Sequence, residues 1–327
     1  MQYDQWLRHF RLVVSVNGER REALDLSDFR TTFHISQAAI GKPCTAEITV
    51  YNVSKTTCDL IEAPTNAVIS GRRPRVILEA GYEGDYATIF EGDLYWKSTG
   101  QDTETETFMR LVAATGDRAQ QYAVVNASIP KGATQEQVFD IVAKTMEEKG
   151  VQTGSKPTFM ETKLPRGKVL YKMSSDAMQG LADTNRFDWG YTSKGLVAIA
   201  KDRIYKKGEE VIVLNSETGM IGRPTLSVEG VDLQCLLQPR IDIGSLIQID
   251  NRSIQRQSYD TSYMADIMAN TASTDAFVSA DGLYRVIGRE HYGDTRGNDW
   301  YTKILAVGVN ASQQPLTPTA MTNLPNL

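Results

Sequence analysis

From Phe10 to Thr115 apolar and polar side chains alternate with period two, the pattern of strands that lay one face on a core. Phe10, Leu12, Val14 and Val16 share one side, as do Phe29, Thr31, Phe33 and Ile35. Ala46, Ile48 and Val50 alternate with Glu47, Thr49 and Tyr51. Phe90, Leu94 and Trp96 alternate with Glu91, Asp93 and Tyr95, which puts Trp96 on the side of Phe90 and Leu94. Turn signals "VNGE", "IGKP" and "GYEGD" stand where an antiparallel sheet must reverse.

The period changes after Asp117. "ATQEQVFDIVAKTMEEKG" reads as a helix: Thr134 and Gln137 form a capping box, Val138, Ile141, Val142 and Met146 share a face, and Gly150 ends it. A second helix is expected from about Ser175 to Asn185, with Ala177, Met178, Leu181 and Ala182 inward, followed by a hairpin in "FDWGYTSKGLVAIA". Strand character resumes in "EEVIVLN", "RPTLSVEG", "GSLIQID", "GLYRVIGRE" and "DWYTKILAVG". The expectation is a mainly β protein of antiparallel barrels or sandwiches with a small inserted α/β module: a β-domain over 1–118, the module over 119–203, and a second β-domain over 204–310. A polar loop at about 255–281 is expected to protrude from the second domain, and 311–327, with three prolines and no charge, to be an extended tail.

Two stretches share a plan. "GDLYWKSTGQDTETETFMRLVAATG" from Gly92 and "GLYRVIGREHYGDTRGNDWYTKILAVG" from Gly282 each open with Gly and a Leu-Tyr pair, pass through a polar loop with Gly, and close on small apolar residues and Gly. In the second, both sides of the strands carry apolar or aromatic residues, which predicts a second covered face and a subunit contact.

At 327 residues the chain exceeds what one core usually organises, and 41% hydrophobic with 23% charged residues is the composition of a folded protein. The net charge of -5 argues against a surface that grips phosphate backbones, so no sequence-specific nucleic-acid binding is expected. Apolar runs such as "GLVAIA" are too short to span a bilayer, and no stable membrane insertion is expected. Charges in "MQYDQWLRHFRL" stand where a signal peptide has its apolar core, which predicts folding in the cytoplasm. Cys44, Cys58 and Cys235 read as buried free thiols.

Catalytic chemistry finds no constellation. His291 beside Asp294 and Asp299 lacks a nucleophile or metal partner, and Gly293, Asp294, Gly297 and Asn298 suit a hairpin loop on conformational grounds alone. Glu136 with Asp140 sits where a helix dipole favours carboxylates in any case. "GRRPR" from Gly71 suits a solvated turn or an acidic partner, and Trp96, Trp189 and Trp300 suit core or interface. No cofactor, metal or catalytic residue is expected.

"RVILEAGYEGDYATIFEGDLY" resembles the first β-domain of baseplate hub proteins from contractile-tailed bacteriophages, through Ala80, Gly81, Tyr82, Ile89, Phe90 and Gly92. "LLQPRIDIGSLIQID" is similar to that family's entry into its second β-domain, with Pro239 and Gly244 at the breaks. The family's closing hairpin is matched by Tyr284, Val286, His291, Gly293, Asp294, Trp300, Tyr301 and Thr302. The resemblance implies two tail-tube-like β-domains and a structural role: a homotrimeric ring joining the sixfold tail tube, or its initiator, to a threefold central spike, with wedge proteins alongside. It implies a place in the virion after assembly in the host cytoplasm, and a lumen that passes DNA. Signature or partner-contact residues are then His291, Tyr292, Asp294, Arg296, Asp299, Trp300, Tyr301, Tyr82, Phe90 and Trp96. The alternatives are a spike-hub component of a tailocin-like or type VI secretion device, and a virion peptidoglycan hydrolase with tail-binding domains.

Overall fold

The computed structural model describes residues 6–16, 23–38, 41–61, 73–159, 162–193, 195–201, 210–227, 230–250, 254–256 and 282–309. The period-two segments form β1 (Arg8–Ser15), β2 (Ala23–Asp25), β3 (Thr31–Ala38), β4 (Cys44–Tyr51), β5 (Arg75–Tyr82), β6 (Asp85–Gln101) and β7 (Thr107–Thr115), with a short helix α1 (Lys55–Leu60) after β4. The inward set of each strand meets in one core that includes Leu12, Ile35, Ile48, Leu78, Leu94 and Leu111. β5 and β6 reverse through Glu83 and Gly84, where a φ of 88° favours glycine.

Trp96 departs from the expected phase. The register of β6 on β7 slips between Leu94, opposite Ala113, and Trp96, opposite Val112. Tyr95 is therefore the extra residue of a bulge, and every side chain after it changes face. Trp96 ends up 45% exposed on the outer surface.

The inserted module comprises α2 (Asp117–Tyr122), β8 (Val124–Ile129), α3 (Gln135–Glu147), β9 (Thr153–Ser155), β10 (Lys168–Met173), α4 (Ser174–Asn185), β11 (Phe187–Thr192) and β12 (Gly195–Ala200). The capping box is formed in both directions between Thr134 and Gln137. α3 buries Val138, Val142 and Met146 as its spacing requires, and also Phe139; Ile141 is partly buried. Together with Met178, Leu181, Phe187, Trp189 and Tyr191 they make a second core.

The rest forms β13 (Val211–Leu214), β14 (Met220–Leu226), β15 (Val231–Leu236), β16 (Leu246–Ile249), β17 (Gln255–Arg256), β18 (Leu283–Asp294) and β19 (Trp300–Gly308) around a third core with Leu233, Ile247, Tyr284, Val286 and Ile304. β15 has no counterpart among the expected strands, although Val231, Leu233 and Cys235 alternate inward. The polar stretch from 257 to 281 and the tail over 311–327 lie outside the described residues.

The N-terminal and C-terminal strands do not make separate sheets. One sheet of 14 strands runs β17-β14-β15-β19-β18-β3-β4-β7-β6-β5-β1-β2, with β16 joining β13 to β18. Most of its pairings are antiparallel, with parallel ones at β13–β16 and β14–β17. Replacing Thr134 by Ala removes the cap of α3 and is expected to lower unfolding stability by about 1 kcal/mol, measured by urea denaturation.

Candidate functional site: a strand shared by two cores

β18 changes partners part-way. Tyr284 and Arg285 face Ile247 and Leu246 of β16, whereas Gly288 to Asp294 face Ala38 to Thr32 of β3. The change falls at Ile287, an extra residue opposite β19 between Val286 and Gly288. Before this bulge Tyr284 and Val286 point into the third core; after it Arg289, His291 and Gly293 take the buried side. One strand thus closes both β cores.

The inward phase brings a guanidinium into the seam. Arg289 is 3% exposed. Its Nε donates to Gln37 Oε1 at 2.6 Å, its Nη1 to the Ile241 carbonyl, and its Nη2 lies 3.6 Å from Asp242 Oδ1. Gln37 Nε2 in turn donates to the Tyr191 carbonyl of β11, so the same pair reaches the α/β module. Cys44 lies nearby; burial pushes its thiol up to about 12 against the pull of Arg289.

Further ties flank it. Arg8 of β1 donates to the Asp294, Gly297 and Asn298 carbonyls and lies over the Trp300 ring. Arg30 Nη2 meets Asp294 Oδ2 at 3.0 Å; burial would raise the Asp294 carboxyl, but Arg30 and the Arg296 N–H hold it below its usual value. Trp300 Nε1 donates to the Gly81 carbonyl, and Arg240 Nε to Asp85 Oδ1 at 2.8 Å. At Gly293 a Cβ would stand 2.2 Å from the Phe33 ring, so the packing demands glycine there. These contacts tie strands of the first core to strands of the third.

The outer face is aromatic. Tyr301, Tyr292 and His34 sit opposite one another on β19, β18 and β3 and stack, with centroids 5.0 and 4.3 Å apart. The Tyr292 hydroxyl donates to Glu290, and Lys303 lies over the Tyr292 ring.

The profile of the family described as baseplate hub gp41 matches residues 10–254. The chain belongs to that family. The hub is thus a structural component of a phage tail baseplate. No curated protein matches it in sequence. In structure it is similar to a 43 kDa tail protein of prophage MuSo2 from Shewanella oneidensis, at 9% identity and TM-score 0.55 over 93% of this chain and 98% of that one. A tail protein from Neisseria meningitidis gives 8% and 0.52 over 91% and 96%. A component of the Escherichia coli type VI secretion system gives 12% and 0.50 over 93% and 80%. At such identities the likeness shows the fold.

The ten residues singled out in the sequence are dispersed by the hub's structure. Tyr82, Phe90, His291, Asp294 and Trp300 are buried inside the chain. Tyr292 and Tyr301 are half-buried in the outer stack, and Trp96 is exposed. His291 to Asp294 are strand, because β3 pairs with them; the loop expected there is confined to Thr295–Asp299, which includes Arg296. The closing hairpin lies beyond the matched residues. Sequence reasoning does not single out Arg289, Gln37, Arg8 or Arg240. The available signal is the phase of Arg289, two residues from His291 on one face of a strand.

Arg289→Met leaves Asp242 and Gln37 without their buried partner and is expected to cost about 3 kcal/mol in urea denaturation. His291 is fully buried with Nδ1 2.8 Å from Thr302 Oγ1; burial first, and Arg289 second, hold its pKa well below the ordinary 6.5. The unfolded chain therefore binds the extra proton, and the contribution of His291 to stability, present above 6.5, is lost as pH falls below it. Unfolding measured between pH 7 and pH 5 should show a steeper slope in the native chain than in His291→Gln, the difference growing to about 1.4 kcal/mol per pH unit near pH 5.

Proposed function

We propose that the hub closes a trimeric ring in which every chain supplies two equivalent tube-like β units, 1–118 and 204–310, with the 119–203 module outside the repeat. The observation that carries this reading is the twin hairpin. From its bulge β6–β7 runs six pairs, Trp96↔Val112 to Gln101↔Thr107, and β18–β19 runs six, Gly288↔Leu305 to Gly293↔Trp300. The two stand in the same order and direction in one sheet, β19-β18-β3-β4-β7-β6, four strand steps or about 19 Å apart. Aligned by their bulges, Leu94 corresponds to Val286, whereas the Leu-Tyr identities would pair it with Leu283. The repeat therefore lives in hydrogen-bond register more than in residue identity.

A threefold ring matches a sixfold tube only if each chain presents two near-equivalent surfaces. The hub then joins the tube, or its initiator, to a threefold spike, with wedge proteins alongside, and a wall without net positive charge lets DNA pass. Its work is assembly in the host cytoplasm and mechanical continuity in a contractile tail, without catalysis.

Light scattering of the purified hub with its tube and spike partners is expected to show a species of three times 36.3 kDa, alone or within the complex. A chain that stays single in every mixture sinks the ring. A peptidoglycan zymogram is expected to show no clearing, and clearing would establish the hydrolase instead.

A further inference from the structure

The module carries an exposed apolar face of its own. β8 and β10 form a two-stranded sheet, and among the described residues no strand pairs with either outer edge. Its inner face gives Val125, Ile129 and Leu170 to the module core. On its outer face the register sets Met173 opposite Val124, Tyr171 opposite Asn126 and Val169 opposite Ser128. Tyr171 is 78% and Val169 73% exposed, and Val124, one pair along the outer face from Tyr171, is exposed too. Apolar side chains gathered on one face in this way mark a contact surface, whereas single ones would need no explanation.

The rim has a sign. Lys131, Lys163, Arg166, Lys168 and Lys172 are all exposed around the ribbon, with Asp176 as an exposed carboxylate beside them, in a chain whose net charge is -5. Among the described residues none of the five has an ion-pair partner; Lys172 donates to the Asp176 carbonyl. A twofold pairing of ribbons would set these cations against one another. A bilayer could take the charge and the tyrosine but has nothing for the open backbone edges.

We propose that the β8–β10 ribbon docks an acidic segment of another protein, which adds along the ribbon as a strand, places its apolar side chains on Tyr171 and Val169, and sets its carboxylates against the lysine rim. Strand addition supplies backbone hydrogen bonds, and the alternating side chains supply the choice of partner. This goes beyond the ring and does not depend on it.

The test titrates the full chain with a synthetic peptide of about eight residues alternating Glu and Val. Binding is expected, weakened about tenfold between roughly 50 and 300 mM NaCl. Tyr171→Ser and Lys168→Glu, both at exposed positions, are expected to weaken it about tenfold with an unchanged unfolding midpoint. No binding, or equal binding of a Lys-Val peptide, overturns the proposal. Sedimentation with phosphatidylglycerol–phosphatidylcholine vesicles is expected to leave the chain in solution; co-sedimentation lost in Tyr171→Ser would assign the face to membrane instead. In purified tails, a photo-crosslinking residue at position 171 is expected to capture an acidic segment of a different protein, and capture of another hub copy refutes it. The peptide and vesicle measurements need no ring, so failure of the docking and failure of the trimer are told apart.

Discussion

Taking a guanidinium out of water costs several kcal/mol, and Arg289 recovers part of that because Gln37 and the Ile241 carbonyl accept from its Nε and Nη1 and the Asp242 carboxylate faces its charge at 3.6 Å. An apolar substitute could be as stable if all the partners were exchanged with it. What the charged arrangement adds is direction: a guanidinium accepts few geometries, so β3, β18 and the 241–242 segment must meet at one angle. Gln37 hands the constraint on to Tyr191. Three cores are therefore oriented about a single side chain.

Around that seam the charged groups serve the joint. Arg8 and Arg30 hold the tip of the β18–β19 hairpin through its carbonyls and Asp294, and Arg240 holds the β5–β6 turn through Asp85. Each ties N-terminal to C-terminal sequence. His291 and the buried thiols of Cys44 and Cys235 are all held toward their neutral forms by burial.

Local pattern reaches as far as local physics does. Period-two alternation locates β1, β3 and β4, and the cap at Thr134 locates α3, because those signals need no distant partner. It fails at Trp96, where one bulged residue reverses every face after it, and bulges leave no mark in side-chain type. It fails at His291 to Asp294, whose glycine and acidic residues suit a turn but form a strand because β3 lies alongside. β15 escapes it although Val231, Leu233 and Cys235 alternate; three inward positions give little contrast against the polar residues around them. The joint itself is illegible, since Arg289 reads as a solvated strand residue until its neighbours from other regions are known.

The pairing of β3 with β18 spans a sequence separation of 252 residues at Gln37 and Arg289. During synthesis the outer edge of β3 must wait, unpaired, until nearly all the described chain has left the ribosome. Closure of so long a loop is slow, and an open edge is an invitation to wrong partners. A chain cut short before β18 leaves that edge of β3 without the strand that covers it.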